Sequence, residues 1–249
     1  MHAPDDRALL QALQRLPAAA VLDVLDIMGY TNIQMSGVRS LIPGQKLVGR
    51  AVTMRFVPTR PDLRAKVIGG TESAEYRAME LCGPGDVLVM DAMRLAEPSA
   101  AGDIKLLRLK QRGAAGVVTD ASVRDLATLR SYGIGIFAAG ETNKTMPSAM
   151  LPYDVQVAVQ CGGVLVLPGD YLTADDGGVV VLPQQLAREV VAKAAEREAT
   201  EEVVKRQLAK EEVSPGKYYP FTEATAELYR RSTRRVRPRR SVPRGPRAH

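Results

Sequence analysis

Residues 104–120 constrain the fold of this chain most, because a helix pattern is followed at once by a strand pattern of matching length. Apolar spacing predicts a helix over residues 104–112 that Gly113 ends, and residues 116–120 are typical of a buried strand. At about 1.5 Å per residue the helix carries the chain roughly 15 Å away, and a strand at about 3.3 Å per residue brings it back. We therefore expect Asp103, before the helix, and Arg124-Asp125, after the strand, to share one edge of an α/β domain.

The same alternation of helix and strand patterns extends along most of the chain. Further helices are predicted at residues 18–28, 73–82 and, opened by Pro183 and ended by Ser214-Pro215-Gly216, 184–212. Further strands are predicted at residues 47–57, 87–91, 155–159, 164–166 and 179–182. With neither an internal repeat nor an interdomain linker, the pattern predicts a single α/β domain over residues 1–229.

The end of the chain differs sharply in composition. Residues 230–249 contain nine arginines and no acid, so the net charge of +6 leaves −3 for residues 1–229. A Pro- and Arg-rich segment of this kind cannot pack a core, and we expect it to be disordered. It is either an arm that binds RNA or a partner, or a solvated extension; we favour the extension, because it has no aromatic residue to stack on bases.

Composition also excludes several classes of protein. The chain has no apolar run of membrane-spanning length, and residues 1–15 lack the apolar centre of a signal peptide, so a cytoplasmic location is expected. His2 and His249 stand at the extreme ends, which argues against His-dependent hydrolases, His-ligated zinc and a His base. Cys82 and Cys161 lack metal-ligand spacing, so buried free thiols are expected in preference to a disulfide.

The edge that carries the three charged residues has the chemistry of an anion and metal site. Arg124 offers a planar fork of donors for a carboxylate, and Asp125 is a hard oxygen ligand suited to Mg²⁺. Asp103 occupies the capping position of the helix, where free amides and the positive helix end suit a carboxylate or enolate oxygen. These amides belong to Ile104, Lys105 and Leu106.

Plainer interpretations compete with this one. On spacing alone, an Asp before a helix is more often only a cap, and Arg-Asp in a loop is more often a solvated pair. Schiff-base chemistry stays open for Lys105, Lys66 and Lys144, although Lys105, the one near the edge, is more often an exposed first-turn residue. Three tyrosines are conceivable acids, although such residues more often pack the ring and hydrate the hydroxyl: Tyr153, Tyr218 and Tyr219.

Several short motifs resemble those of one known family. They are GPGDVLV at residues 83–89, AGD at 101–103, RGAAGVVTD at 112–120 and Arg124-Asp125, followed by PGD at 168–170 and ADDGGVVVLP at 174–183. The chain resembles the class II 4-hydroxy-4-methyl-2-oxoglutarate aldolases, a family that also contains regulators of ribonuclease E activity, over roughly residues 15–220. The resemblance implies a swivelling β/β/α fold, a layered sheet with flanking helices and a long C-terminal helix, assembled as a trimer or a pair of trimers.

The resemblance also implies roles for individual residues. Arg124 would bind the pyruvate moiety, Asp125 would hold a divalent metal, Mg²⁺ or Mn²⁺, and Asp103 would orient water and substrate. The substrate would lie against Gly102 and the first-turn amides. The active site would lie at a subunit interface, where a glutamate from the late helix of a neighbouring subunit reaches the metal's water shell; the candidates are Glu198, Glu201 and Glu202, of which we favour Glu201 or Glu202.

These expectations describe a metal-dependent lyase that cleaves a 4-hydroxy-2-oxo acid to pyruvate and a second carbonyl product, with oxaloacetate decarboxylation as a second activity. Four arginines make an acidic partner molecule reasonable, although each is equally a candidate surface residue: Arg55, Arg60, Arg64 and Arg94. Family members that only regulate the ribonuclease can lack parts of the three-residue set. A non-catalytic regulator that binds protein or RNA remains the alternative.

Overall fold

The computed structural model describes residues 4–67, 69–146 and 149–234, and the chain divides into two compact units, Met1–Ala194 and Ala195–His249. We describe each unit by itself. The boundary falls inside a long helix. One domain over residues 1–229 stays a prediction.

The α-helices of the described chain are α1 Pro4–Gln14, α2 Ala18–Ile27, α3 Pro61–Arg64, α4 Ala74–Leu81, α5 Asp103–Arg112, α6 Leu126–Leu129, α7 Ala187–Leu208 and α8 Glu223–Arg234. Short 3₁₀ turns lie at Gly70–Glu72, Gln184–Leu186 and Pro215–Lys217. The strands are β1 Arg39–Ser40, β2 Leu47–Pro58, β3 Asp86–Asp91, β4 Ser99–Ala101, β5 Gly116–Thr119, β6 Ser122–Val123, β7 Gly135–Ala138, β8 Gly140–Glu141, β9 Met150–Val155, β10 Val159–Cys161, β11 Val164–Val166, β12 Tyr171–Asp175 and β13 Gly178–Leu182.

The main sheet of the first unit has the strand order β1-β7-β5-β3-β2-β12-β13, and β9 also pairs with β2. The neighbours from β7 to β2 are parallel, and the outer strands are antiparallel. Strand β5 is buried at every residue, as expected for a parallel strand covered on both faces. The predicted α/β fold with a layered sheet is confirmed.

Two core clusters cover the two faces of this sheet. On one face Leu88 and Val117 pack in a cluster with Leu106 and Leu109 of α5. On the other face Val87 and Val118 pack with side chains of the β10–β11 hairpin, including Cys161. The helix α5 is thereby fixed against the sheet along its length, so its first turn has a defined position.

A second, smaller sheet places the predicted site residues. Its strands β4, β6 and β8 are parallel, and Ala101 lies opposite Val123. Gly102-Asp103 directly follows β4, and Arg124-Asp125 directly follows β6. Since paired parallel strands end at the same edge, the register of this sheet brings the two motifs together, which helix and strand lengths alone could not establish.

Most predicted elements agree with the observed ones within two residues, but one strand prediction is wrong. Residues 155–159 do not form one strand, because β9 ends at Val155, Gln156 takes a left-handed conformation with φ of 56°, and β10 begins at Val159. The alternating valines suit either strand and conceal the turn between them. The long helix begins at Ala187 after a 3₁₀ turn and ends at Leu208, four residues before the predicted end.

The basic tail also begins later than predicted. Its first residues, 230–234, are helical, because α8 extends to Arg234. Arg230 pairs with Glu223 at 3.0 Å, and Arg231 pairs with Glu227 one turn earlier. Residues 235–249 lie outside the described residues, as do His2 and His249.

The second unit is held by a small polar and aromatic cluster. The Tyr218 hydroxyl donates to Glu211 Oε2 at 3.0 Å, and the Thr225 hydroxyl donates to the carbonyl of Tyr218 at 2.5 Å. The Arg197 guanidinium lies 4.9 Å from the ring centre of Phe221. Tyr218 therefore packs its ring and satisfies its hydroxyl within this unit.

Both cysteines are free and buried, as predicted. Burial raises the pKa of Cys82 to about 12, so this thiol is unreactive at neutral pH. Among the residues described, no single helix is long and apolar enough to cross a membrane; the bent pair Asp6–Gln14 and Ala18–Ile27 passes that test only when taken together.

Candidate active site

A cavity of about 430 Å³ lies at the first turn of α5, in the first unit. Two cationic and two acidic side chains line it, among small and apolar neighbours. The lining residues are Ser99, Ala100, Ala101, Gly102, Asp103, Ile104, Lys105, Arg124, Asp125, Thr145 and Met146. The three charged residues singled out from the sequence thus share one cavity, with Gly102, Ile104 and Lys105. Leu106 is fully buried in the core and contributes its backbone to the same turn.

Asp103 is the first helical residue of α5, and Gly102 holds the capping position predicted for Asp103. The Asp103 carboxylate still serves the helix end, because Oδ1 accepts from the amide of Ile104 at 2.7 Å. Two of the three amides predicted to be free are already bonded, since the Ile104 amide donates to Asp103 and the Leu106 amide donates to the carbonyl of Gly102 at 3.0 Å. The cap therefore lies one residue earlier than predicted, and what this end of α5 offers an anion is chiefly its positive partial charge.

Gly102 allows Asp103 and Asp125 to approach each other. The Asp103 amide lies 3.4 Å from Asp125 Oδ2, and a Cβ on Gly102 would lie only 2.7 Å from that oxygen. The same Cβ would lie 3.5 Å from Cβ of Arg124. A side chain at residue 102 would therefore displace the Asp125 carboxylate.

Arg124 is half-buried, and its backbone amide bonds to the carbonyl of Ala101 at 3.0 Å, which ties it to the end of β4. Its Nε is buried and has no hydrogen-bond partner in the described chain. A buried charged donor without an acceptor is costly, so its persistence in a cavity wall indicates a ligand acceptor. A carboxylate that bridges Nε and a terminal nitrogen satisfies this geometry.

Asp125 has an unusual backbone conformation. It is a non-glycine residue in the left-handed region, with φ of 61°, and it precedes the short helix α6. Its main-chain oxygen accepts from the amides of Thr128 and Leu129, but its side chain makes no cap and is exposed to the cavity. Strain of this kind is typical of functional positions, and here it aims the carboxylate at Gly102.

The donor set decides what kind of metal ion the cavity could hold. Within the described residues there is no group of three or more His, Cys, Asp and Glu side chains arranged around a common centre. Asp125 offers hard carboxylate oxygens at the cavity wall, with Asp103 beside it. This set fits an ion such as Mg²⁺, which keeps most of its water and uses one or two carboxylates with substrate oxygens. It does not fit zinc in a closed structural site.

Lys105 is not the exposed first-turn residue expected from the sequence. Its ammonium pairs with Glu75 Oε2 of α4 at 2.5 Å, with side-chain exposures of 23% and 9%, and it lies 5.8 Å from the Tyr76 ring centre. A lysine amine held against a carboxylate must leave that partner before it can attack a carbonyl. The pair therefore argues against Lys105 as a Schiff-base lysine, and Lys144 is paired with Glu97 at the surface.

Tyr132 also supports the site and was not predicted. Its hydroxyl donates to the backbone carbonyl of Asp103 at 3.2 Å. Partial burial, with a contribution from the charges of Asp103 and Asp125, raises the pKa of Tyr132, so it stays a neutral donor at physiological pH.

Glu75, the partner of Lys105, was also not predicted. The sequence does mark it as unusual, since it is a charged residue on the apolar face of a predicted helix.

The remaining candidates lie elsewhere. Glu201 and Glu202 belong to the second unit, on α7, where Glu201 pairs with Arg197 and Glu202 pairs with Lys205. The cavity lining described above includes none of the four arginines proposed for an acidic partner. Arg55 pairs with Asp154 and Arg60 with Asp62. Tyr153 and Tyr219 are exposed at the surfaces of their units.

Comparison with known proteins agrees with the motifs. The family model described as RraA-like, Aldolase/RraA, matches residues 18–181. A relative from Halalkalibacterium halodurans, named "Putative 4-hydroxy-4-methyl-2-oxoglutarate aldolase", is 31% identical over 194 residues, which are 78% of this chain and 85% of that protein. A relative of the same name from Ectopseudomonas mendocina is 34% identical over 110 residues, 44% of this chain and 67% of that protein.

A solved structure is similar as well. The Streptomyces coelicolor protein RraAS2, described as an unusual member of the RNase ES inhibitor RraA family, aligns with a TM-score of 0.74 at 34% identity. The alignment covers 82% of this chain and 98% of that protein. All of the residues that line the cavity lie within the span matched by the family model.

Proposed function

Since this chain belongs to the RraA-like family of aldolases and RraA proteins, we propose that it is a divalent-metal-dependent lyase acting on a pyruvate-derived 2-oxo acid. The observation that carries the proposal is the cavity in which Asp103, Asp125 and the unpartnered Nε of Arg124 meet at a helix N-terminus. A surface regulator has no need of an arginine with a buried, unpartnered Nε in a concave site.

Substrate binding follows from the two kinds of donor in the cavity. The Arg124 fork takes the C1 carboxylate in two hydrogen bonds, which satisfies Nε. The positive N-terminal end of α5 then faces the 2-oxo oxygen, where negative charge develops as the carbon–carbon bond breaks. Preorganised donors of this kind stabilise the enolate more than the ground-state ketone, which is the condition for catalysis.

Asp125 is the residue proposed to hold the metal ion, Mg²⁺ or Mn²⁺, with Asp103 beside it. When bound, the ion supplies Lewis-acid stabilisation to the 2-oxo oxygen. The Asp103 carboxylate orients a water molecule at the N-terminus of α5, and this water transfers protons. Tyr132 bonds to the backbone carbonyl of Asp103 and so fixes the position from which the carboxylate holds the water.

The bond changes are those of a retro-aldol cleavage. The 4-hydroxyl group loses its proton to water held by Asp103, the C3–C4 bond breaks, and C4 becomes the carbonyl carbon of the second product. The bond electrons pass to pyruvate as its enolate, which takes up a proton at C3. The same electron sink accepts the electrons left when oxaloacetate loses CO₂, so decarboxylation is the proposed second activity.

We further propose that the enzyme is a trimer or hexamer with its sites at subunit interfaces. Ile104, which lines the cavity, is 83% exposed, and Leu107 of the same helix is 39% exposed, so α5 presents apolar surface that another subunit could cover. A glutamate of the neighbouring subunit, Glu201 or Glu202, is then proposed to complete the metal's water shell. A cytoplasmic location likewise remains a prediction.

The regulator function is the second candidate. It rests on the similarity to RraAS2, a protein described by its membership of an RNase inhibitor family, and on the basic end of α8. Regulation would use surface contacts, and it would not require an intact cavity. Loss of the cavity arginine would then leave function unchanged.

The decisive experiment measures pyruvate release from oxaloacetate and from 4-hydroxy-2-oxoglutarate. We expect activity with added Mg²⁺ or Mn²⁺ and none in EDTA, with full recovery when the ion is restored in excess, since the proposed ion supplies the Lewis acid that stabilises the enolate. Full activity in EDTA, together with borohydride trapping of a substrate adduct on a lysine, would replace this proposal with Schiff-base chemistry.

A Gly102→Ala variant tests the close approach of the two carboxylates. Because the new Cβ would meet Asp125 Oδ2 at 2.7 Å, we expect activity to fall by at least about tenfold, with little change in stability because the exposed Asp125 carboxylate can move aside. Gly83→Ala is the matched control, since its Cβ would meet Asp86 Oδ2 at an ordinary 3.7 Å. Wild-type kinetics in Gly102→Ala would mean that Asp125 does not act from its observed position.

A further inference from the structure

Two buried carboxylates stand at the carboxyl ends of neighbouring strands of the main sheet, outside the cavity lining. Asp91 is the last residue of β3, Asp120 directly follows β5, and these parallel strands place Met90 opposite Thr119. Asp91 is 8% exposed and Asp120 is 4% exposed. The mechanism proposed above uses neither of them, so the cost of burying two adjacent acids calls for an explanation.

One side chain holds both carboxylates. The carboxamide nitrogen of Gln160, in β10, donates to Asp91 Oδ1 at 2.7 Å and to Asp120 Oδ2 at 2.9 Å. The Gln160 backbone amide also donates to Asp91 Oδ2 at 3.2 Å, and its carboxamide oxygen accepts from Gly163 at 3.0 Å. Each hydrogen of the NH₂ group thus serves one acid, and the oxygen bond fixes the orientation of the amide. We call Asp91, Asp120 and Gln160 the carboxylate clasp.

The clasp is stabilised by neutral donors. Asp120 accepts from the amides of Ala92 at 2.7 Å, Arg94 at 3.1 Å and Gly162 at 3.2 Å. Burial raises the pKa of Asp91, and the charge of Asp120 adds to that effect. Cys161 also faces the pair, and burial raises the pKa of its thiol well above the usual value. The titratable groups of the clasp region, in the described chain, are therefore two carboxyls and a neutral thiol, and the cationic side chains of the neighbouring elements are Arg94 of the following turn and Arg55, opposite Asp91 in β2.

Both chain segments that build the active site leave the sheet at this clasp. The turn after Asp91 contains two successive left-handed residues, Met93 and Arg94, with φ of 57° and 61°. Amides of this turn bond to Asp91 and Asp120, and the segment continues through β4 to Gly102-Asp103. The segment after Asp120 continues through β6 to Arg124-Asp125. A strained turn persists only where surrounding contacts hold it, and here hydrogen bonds to the buried carboxylates do so. Such turns are typical of segments that position functional residues.

We infer that Gln160 is a positioning residue for the active site, which fixes the separation of the two segments by bridging the carboxylates at their origins. The inference rests on the proposed function for its kinetic consequence. The main support is the short chain path from the clasp to the cavity, about ten residues from Asp91 to Gly102 and four from Asp120 to Arg124. The two segments are also joined to each other, because the Ser122 hydroxyl donates to the carbonyl of Ala96 at 2.6 Å.

A Gln160→Met variant tests the inference. It keeps the volume but removes the bridge, so two buried anions face each other. We expect kcat to fall by about 10- to 100-fold with a smaller change in KM, because misplacement of about 1 Å is enough for such a loss. The ratio of variant to wild-type kcat should rise as the pH falls from 8 to 5, since protonation of one carboxyl turns repulsion into an acid–carboxylate hydrogen bond. A double variant, Gln160→Met with Asp91→Asn, supplies a new amide to Asp120 and should recover activity without the pH dependence.

The control is Gln45→Met, which removes a half-buried glutamine whose carboxamide bonds only to backbone groups of Ile134 and Ile136. This variant should be less stable than the wild type, and the ratio of its kcat to that of the wild type should stay constant between pH 8 and 5. A constant ratio for Gln160→Met, or no recovery in the double variant, would overturn the inference and leave Gln160 a structural residue.

A crystal structure of Gln160→Met provides a readout that does not depend on activity. The distance from the Asp103 amide to Asp125 Oδ2 should exceed the 3.4 Å seen here, and an unchanged distance would refute the positioning role. If the wild-type protein releases no pyruvate, only the proposed function is refuted. The distance from the Asp103 amide to Asp125 Oδ2 in the variant still decides whether the clasp positions the site.

Discussion

An Asp125→Ala variant is expected to lose nearly all turnover, on the order of 10³-fold or more in kcat, while remaining folded. Asp125 presents an exposed carboxylate to the cavity and supplies the proposed protein ligand of the metal. Its removal leaves the ion with water and substrate alone, so the enolate loses both its Lewis acid and the fixed position of that acid. Steady-state kinetics at increasing Mn²⁺, with a calorimetric measurement of Mn²⁺ affinity, check the result.

The left-handed backbone of Asp125 requires a second variant. Alanine tolerates φ of 61° less well than Asp, so part of any loss in Asp125→Ala comes from the backbone. Asp125→Asn keeps the shape and suits that conformation, and it removes only the charge. We expect it to fold as well as the wild type and to need much more metal for its residual activity.

Asp62→Ala is the control for the loss of an acid in the same unit, because Asp62 is exposed and pairs only with Arg60 at the surface. It should leave kinetics and metal affinity unchanged. If Asp125→Asn binds Mn²⁺ as the wild type does and keeps its kcat, the metal assignment at this residue is wrong.

The sequence predicted the parts of the site that depend on local chemistry. A helix that begins at residues 103–104 and ends at Gly113 is specified by apolar spacing and by a glycine suited to its φ of 73°. The matching lengths of helix and strand predicted that the charged residues on either side share an edge, although the alignment itself comes from the register of the small sheet. For these features, the information lies within about twenty consecutive residues.

What the sequence could not predict depends on contacts between distant segments. Glu75 lies thirty residues before its partner Lys105, and Gln160 lies forty and sixty-nine residues after its two acids. Glu75 stands out only as a charged residue on the apolar face of a predicted helix, and nothing in the sequence identifies its partner. Gln160 carries no such signal, because a buried polar residue looks like a surface residue in a single sequence. The turn at Gln156 was missed for a related reason, since valine is equally common on both strands that flank it.

The register of the small sheet is a further example. Strands β4 and β6 have three and two residues, too short for any alternating pattern, yet their pairing of Ala101 with Val123 aligns the two functional motifs. Such short strands form because the larger sheet and α5 already hold their ends. The local sequence therefore identifies which residues belong to the site, whereas their arrangement in space depends on the fold of the whole first unit.

Arg124→Lys is expected to weaken substrate binding far more than it slows the chemical step. Among the residues that the structure describes, the buried Nε of the wild-type side chain has no partner, and it is poised for one of two parallel bonds to a carboxylate. Lysine supplies a point charge and loses the fork, so we expect KM for a 2-oxo acid to rise by roughly 10- to 100-fold, equivalent to about 1.5–3 kcal/mol, the usual strength of a charge-assisted hydrogen bond. The value of kcat should change by less than about tenfold.

Pyruvate binding measured by calorimetry in the presence of Mg²⁺ separates this effect from turnover. Arg112→Lys is the matched control, because Arg112 lies at the other end of α5 and its guanidinium bonds to the backbone carbonyls of Cys82 and Glu80. It should cost stability and leave pyruvate affinity intact. An Arg124→Lys variant with wild-type KM and wild-type pyruvate affinity would show that Nε of Arg124 does not bind the substrate. The assignment of this cavity as the active site would then be wrong.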